Sequence, residues 1–203
     1  MPARLEKGNA MSDSIESLTS RIVAAKQVAP ADVLALRKAI WNSDRIKTPI
    51  VAALFAINDA ITAPLDEFSD CFSEAIAHFL LKQDWPHDFM SDENANWLMS
   101  AIDKDGKVES HAELELLVRV VEVAENAPDT LKTYALKQIE TVVLTGEGPT
   151  RRDGEIHPGS IDAVEAVLLR RLIFAAGGGD ALKVGATEAE MLFRIKEIGR
   201  AHV

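Results

Sequence analysis

An all-α protein, a helical bundle made of two subdomains, is what the chain predicts, and three observations carry that reading. Apolar residues recur at spacings of three and four through most of the 203 residues. Residues suited to starting helices stand at the head of several of these stretches. No long alternating pattern of the kind a half-buried strand needs is present.

Taken in order, the stretch 13 to 26 carries Ile15, Leu18, Ile22 and Val23 on one stripe, and residues 1 to 12 are read as a flexible N-terminal segment. Val33, Leu36, Ile40 and Trp41 follow Pro30 in the stretch 31 to 42. Thr48-Pro49 reads as a helix start, because a threonine hydroxyl can accept an orphan backbone N–H and proline has no N–H to satisfy. Ile50, Leu54, Phe55 and Ile57 then form the buried side of 49 to 61. The strongest stripe of the first half is Phe68, Phe72, Ala75, Ile76, Phe79 and Leu80, with Trp85 and Phe89 expected to cover one end of it. Pro86 opposes helix continuation.

Ser91 opens a short helix holding Ala95, Trp97, Leu98 and Ile102, and the three tryptophans of the chain are expected to fill core space rather than stack on a substrate. Ser110 and Glu113 have the spacing of a capping box, in which each side chain satisfies the other residue's backbone N–H. Leu114, Leu117, Val118, Val121 and Val123 continue that helix. Pro128-Asp129 resets the chain before Leu131, Ala135, Ile139, Val142 and Val143. A helix starting at Ser160 turns Ile161, Val164, Leu168, Leu172 and Ile173 inward, and a last one pairs Thr187 with Glu190.

Composition narrows the function classes. With 32 acidic against 22 basic side chains the formal charge is −10, so phosphate backbones are repelled and nucleic acid is not an expected partner. Cys71 is the only cysteine, which excludes an internal disulfide or a cysteine-rich zinc site; among apolar neighbours it reads as a small buried hydrophobe. No stretch is long and apolar enough for membrane insertion, and the N-terminus lacks a secretory signal core. A cytoplasmic location is expected. The five histidines form no HExxH or comparable ligand spacing, and the GEG and GGG runs belong to no phosphate-binding motif.

Four helix–turn–helix points resemble one another: NSDRIKTPIVAALFAIND from 42, DKDGKVESHAELELLVRV from 103, RRDGEIHPGSIDAVEAVLLRRL from 151 and GGDALKVGATEAEMLFRIKE from 178. Each turn carries one β-branched residue, Ile46, Val108, Ile156 or Val184. Two such turns side by side can exchange backbone hydrogen bonds in a miniature ladder. The expected pairs are Ile46 with Val108 and Ile156 with Val184, giving subdomains 13–127 and 128–203 with turns near 44 and 103, and near 153 and 180.

This rhythm resembles that of EF-hand proteins, and of bacterial TerB-like helical proteins with Asp-Gly turns between helices. The resemblance implies EF-hand-like subdomains with short paired loops, and no particular function. An EF-hand loop supplies oxygen ligands at positions 1, 3, 5, 7 and 9, a bidentate Glu at 12 and a Gly at 6. With Gly106 sixth, Asp103 falls third and Asp105 fifth, while alanines occupy the first and twelfth places. Glu109 and Glu113 add negative charge nearby. Asp103, Asp105, Glu109 and Glu113 are therefore the candidate ligands of a single low-affinity Ca²⁺ site. The competing account is structural: aspartates organise turns by accepting local N–H groups, and glycine permits a left-handed bend. No other cofactor is expected.

The reading that follows is a non-enzymatic helical scaffold or protein-interaction module, its partner a protein, a peptide or a second copy of the chain. The alternatives are a carboxylate-dependent hydrolase working between helices and a calcium-responsive regulator.

Overall fold

The computed structural model describes residues 6–63, 65–103, 107–151, 157–175, 185–186 and 189–194, with side chains from Ile15 onward. It is all-α. The described residues contain eight delimited helices and a further helical stretch at 189–194, with no strand beyond an isolated bridge between Phe89 and Asn126. No helix among them is long and apolar enough to cross a membrane.

The chain divides into two compact units, Met1–Gln83 and Asp84–Val203. The first contains α1 (Glu6–Ala25), α2 (Pro30–Ile40), α3 (Thr48–Ala60) and α4 (Asp66–Leu81). Here α1 packs on α2 and α3, and α4 also meets both α2 and α3. Leu36, Ile40, Leu54, Ile57, Phe68, Phe72 and Ile76 are excluded from solvent. Phe72 takes the edge of Phe55 at a centroid distance of 5.3 Å, a favoured aromatic geometry.

Local chemistry places these helices. Pro30 begins α2, and the Asp32 carboxylate accepts the Ala29 N–H at 3.0 Å while pairing with Arg21 of α1. One buried acid thus fixes the start of α2 and ties it to α1. In α3, Pro49 stands in the first turn, but Thr48 lies inside the helix and Lys47 occupies the cap without a side-chain bond. Residues 6–12, expected to precede the fold, form the opening turns of α1.

The second unit contains α5 (Asp92–Ile102), α6 (His111–Val123), α7 (Asp129–Thr145) and α8 (Ala163–Phe174). α6 packs on α7 and α8, which also meet each other, and α5 packs on α7. Leu114, Leu116, Leu117, Val118, Val120 and Val121 of α6 are all buried, so this helix forms the middle of the core. Arg171 of α8 reaches across to two acids of α6, meeting Glu115 at 2.7 Å and Glu122 at 2.7 Å.

Both capping serines of this unit's first half act as expected. Ser91 accepts the Asn94 N–H, and Ser110 and Glu113 close their box. The start of α8 differs: Asp162, not Ser160, is the cap, and it forms a reciprocal box with Glu165. Thr187 lies outside the described residues.

The division between units falls at Gln83/Asp84, where the sequence suggested 127/128. The helices flanking the turn at 103 pack with α7 and α8, so the turns near 103 and 153 belong to one unit. Ile46 and Val108, expected to pair, fall in different units, and the backbone of each is met by a glutamine side chain of its own unit. Gln83 accepts the Ile46 N–H with its Oε1 and donates Nε2–H to the Ile46 carbonyl at 3.1 Å. Gln138 of α7 accepts the Val108 N–H at 3.2 Å. A carboxamide carries one acceptor and two donors, so it can do for one extended residue what a neighbouring strand would do. Ile156 and Val184 lie outside the described residues.

Candidate functional site

The turn after α5 was the leading candidate from sequence. Ile102 is the last helical residue, and the Asp103 N–H still donates to the Met99 carbonyl at 2.8 Å. Its half-buried carboxylate stands beside Tyr134 of α7. Burial raises the Tyr134 hydroxyl well above its ordinary pKa, and the negative charges of Asp103 and then Glu113 add to this. Two of the four candidate ligands, Asp103 and Glu113, therefore act on the same phenol.

Glu113 is buried and already committed. Its Oε2 accepts the N–H of Glu109 at 3.2 Å and of Ser110 at 3.0 Å, and its own N–H goes to Ser110 Oγ at 3.1 Å. Bidentate use of this carboxylate on a cation would break the box that starts α6. Glu109 is exposed and enters the turn through its backbone N–H. Asp105 lies outside the described residues. No three His, Cys, Asp or Glu side chains converge into a ligand set among the described residues.

Beside this turn lies a cleft of about 290 Å³ between residues 107–109 and the end of α7. Lys107, Glu109, Gln138, Thr141, Thr145 and Glu147 supply its polar lining. The threonine hydroxyls donate to helix carbonyls, Thr141 to Lys137 and Thr145 to Thr141, both at 2.8 Å. One wall depends on Gly148, at φ +145°, where a Cβ would lie 2.5 Å from Val142 Cγ2. No Ser, Cys or His is among the residues lining the cleft.

A surface that sequence reasoning missed lies on α8. The spacing points Ile161 and Val164 inward, yet Ile161 precedes the helix and is exposed, as are Val164, Val167 and Phe174. The last two are 56% and 58% exposed. The core face is narrower than expected, formed by Glu165, Leu168, Leu169 and Leu172. Glu165 is held by Thr150 Oγ1 at 2.8 Å and by a buried pair with Arg151 at 2.7 Å. Arg171 is drawn to α6. Arg170 is thus the only exposed charged residue of α8, amid Ala163, Val164, Ala166, Val167 and Phe174. The signal was available in the sequence: AVEAVLLRRLIF has three charged residues, too few to make a solvated face once two turn inward.

The three tryptophans also depart from the core role expected of them. Trp41 and Trp97 are about two-fifths exposed, and Trp85 is 86% exposed, with Phe89 half exposed beside it. Trp85 and Phe89 belong to the second unit and the Phe68–Leu80 stripe to the first. Cys71 is buried as read, and burial pushes its thiol up to about 11.

Fold and surface together define a two-unit helical protein. No protein-family model, curated protein or solved structure matches the chain.

Proposed function

We propose that this chain is a non-enzymatic helical interaction module that docks a protein or peptide, a second copy of itself included, on the outward face of α8. The observation that carries this reading is the run of exposed Val164, Val167 and Phe174 with Arg170 as its lone exposed charge. A solvated helix face is ordinarily polar, and contiguous exposed apolar surface marks an interaction site. Ala163 and Ala166 beside the larger residues allow a second helix to approach closely. A photocrosslinking residue at position 167 should yield discrete adducts with one polypeptide, whereas the same residue at exposed Lys137 should not. Absence of adducts specific to position 167 would reject the α8 face.

A second reading concerns cations. Asp103 and Asp105, third and fifth in an EF-hand-like loop whose sixth residue is Gly106, support a single low-affinity divalent site at the turn. Because Glu113 is tied into the cap, low affinity is the consistent expectation. Calcium calorimetry on the intact chain and on Asp103→Asn with Asp105→Asn tests it; heat that survives the double substitution, or no heat in either, rejects it.

The Asp-Gly turns support, as a proposal, a place among EF-hand-like or TerB-like bacterial helical proteins. Asp105-Gly106-Lys107-Val108 and Asp153-Gly154-Glu155-Ile156 resemble each other in sequence and fall in the same unit. A cytoplasmic setting is part of the same proposal, in keeping with a lone buried cysteine.

A further inference from the structure

The opening of the second unit carries a surface that the α8 reading does not use. Between Lys82 and Lys104 the chain has no lysine or arginine, yet it holds Asp84, Asp88, Asp92, Glu93 and Asp103. The same stretch exposes Trp85 at 86%, Phe89 at 48% and Trp97 at 40%. A large aromatic surface left in water costs free energy that burial against a partner recovers, and tryptophan dominates many interfaces for this reason.

The loop that bears Trp85 and Phe89 is pinned at its far end. The Glu125 N–H donates to the Asp88 carbonyl at 2.8 Å, the Met90 N–H donates to Asn126 Oδ1 at 3.2 Å, and Phe89 bridges Asn126. Asp88 is held at φ +61°, an uncommon conformation for a residue with a Cβ, which the surrounding bonds maintain. Immediately afterwards Ser91 caps α5, setting Asp92 and Glu93 in its first turn, and Glu93 and Trp97 stand one helical turn apart on the exposed face. Indole rings and carboxylates are thus displayed from a fixed turn and a capped helix, so little ordering is needed on contact.

We propose that the exposed aromatic and acidic residues of this stretch, Trp85, Phe89 and Trp97 with Asp92 and Glu93, bind an arginine-rich segment of another protein. A guanidinium fits both components at once: its plane stacks on an indole face, and its edge presents paired donors to a carboxylate. An ammonium supplies the charge without the planar stacking surface, so arginine is favoured over lysine. The carboxylates repel nucleic acid and anionic lipid, which leaves a cationic polypeptide as the occupant. The proposal is independent of the α8 face.

Calorimetric titration of the intact chain with an octaarginine peptide and with an octalysine peptide tests it. Octaarginine is expected to bind more tightly than octalysine by at least about threefold, the scale of an exposed cation–π contact. Trp85→Ala, which leaves net charge unchanged and removes an exposed side chain, is expected to weaken octaarginine binding by about three- to tenfold. Asp92→Asn with Glu93→Gln is expected to weaken it as well, while the charge-matched control Asp44→Asn with Glu67→Gln is not. Equal binding of the two peptides combined with no effect of Trp85→Ala would reduce the attraction to net charge and overturn the proposal. Absence of octaarginine binding would overturn it outright. So would sedimentation showing that Trp85→Ala abolishes self-association of the unliganded chain, since the occupant would then be a second copy.

Discussion

Gln83 and Gln138 show how much a single side chain can decide. Each supplies hydrogen bonding to a β-branched turn residue whose backbone is buried, Ile46 in one unit and Val108 in the other. Gln83→Ala removes partners for both polar groups of Ile46, and unsatisfied buried groups cost about 1–3 kcal/mol. Urea unfolding should show destabilisation in that range. Cys71 gives a simpler expectation. With its thiol raised to about 11 by burial, it should resist a disulfide reagent in the folded protein and react promptly in denaturant. Rapid reaction without denaturant would contradict its place in the core.

Two more residues set the response to acid. Arg21's hydrogen bond holds the Asp32 carboxyl below 3.8 against the opposing effect of burial. Burial holds His78 below 6.5, helped by the Lys82 charge and opposed by that of Glu74, with Trp41 edge-on at 4.9 Å. Both groups bind protons more weakly when folded than when unfolded. Their stabilisation is present above the unfolded values and is lost as pH falls through the folded ones. Stability should therefore decline in two stages on acidification, beginning below 6.5 for His78 and below 3.8 for Asp32. Urea midpoints measured against pH should lose the upper stage in His78→Gln and the lower in Asp32→Asn. A single unchanged profile in both variants would contradict these assignments.

Among the elements, the helices were legible because periodicity and capping are local. Ser91 and Ser110 stand where the sequence places them, while Pro30, read as the turn before a helix over 31 to 42, is itself the first residue of α2. The start of α8 was misplaced because Ser160 follows a Pro-Gly turn and resembles a cap, while Asp162 and Glu165 have the same box spacing two residues later. Exposure was less legible than helicity. Periodicity identifies an apolar face but cannot say whether a neighbour exists to cover it, so Val164 and the tryptophans were assigned to the core. Packing of α8 on α6 depends on Arg171 as well as on apolar contact. Arg171→Ala would leave Glu115 and Glu122 facing the gap without their shared cation. For a quarter-exposed side chain the loss should be about 1–2 kcal/mol, below that of a fully buried pair. Thermal unfolding of the variant checks this, and an unchanged midpoint would assign the packing to the leucines and valines alone.

At the scale of the whole chain, the sequence conveyed two helical units but not the point where they divide. Four turns of similar composition offer several pairings, and nothing local to Ile46 or Val108 reveals that a glutamine will replace a partner strand. Gln83 sits near the end of an amphipathic helix and Gln138 among apolar residues of another, where either reads as an ordinary polar position. The candidate site was legible to the same degree. Asp103 and Glu113 do lie by one tyrosine, but the capping role of Glu113, also visible in the sequence, competes with any role as a ligand.

The glutamine at the close of the first unit has a practical consequence for dissecting the protein. α4 ends at Leu81, and a truncation chosen by helix boundaries would stop there, discarding Gln83 and with it the bonds that hold Ile46. A fragment ending at Asp84 retains them. The longer fragment should unfold cooperatively and at a higher urea concentration than the one ending at Leu81. Identical midpoints would mean that the bend around Ile46 needs no such clasp.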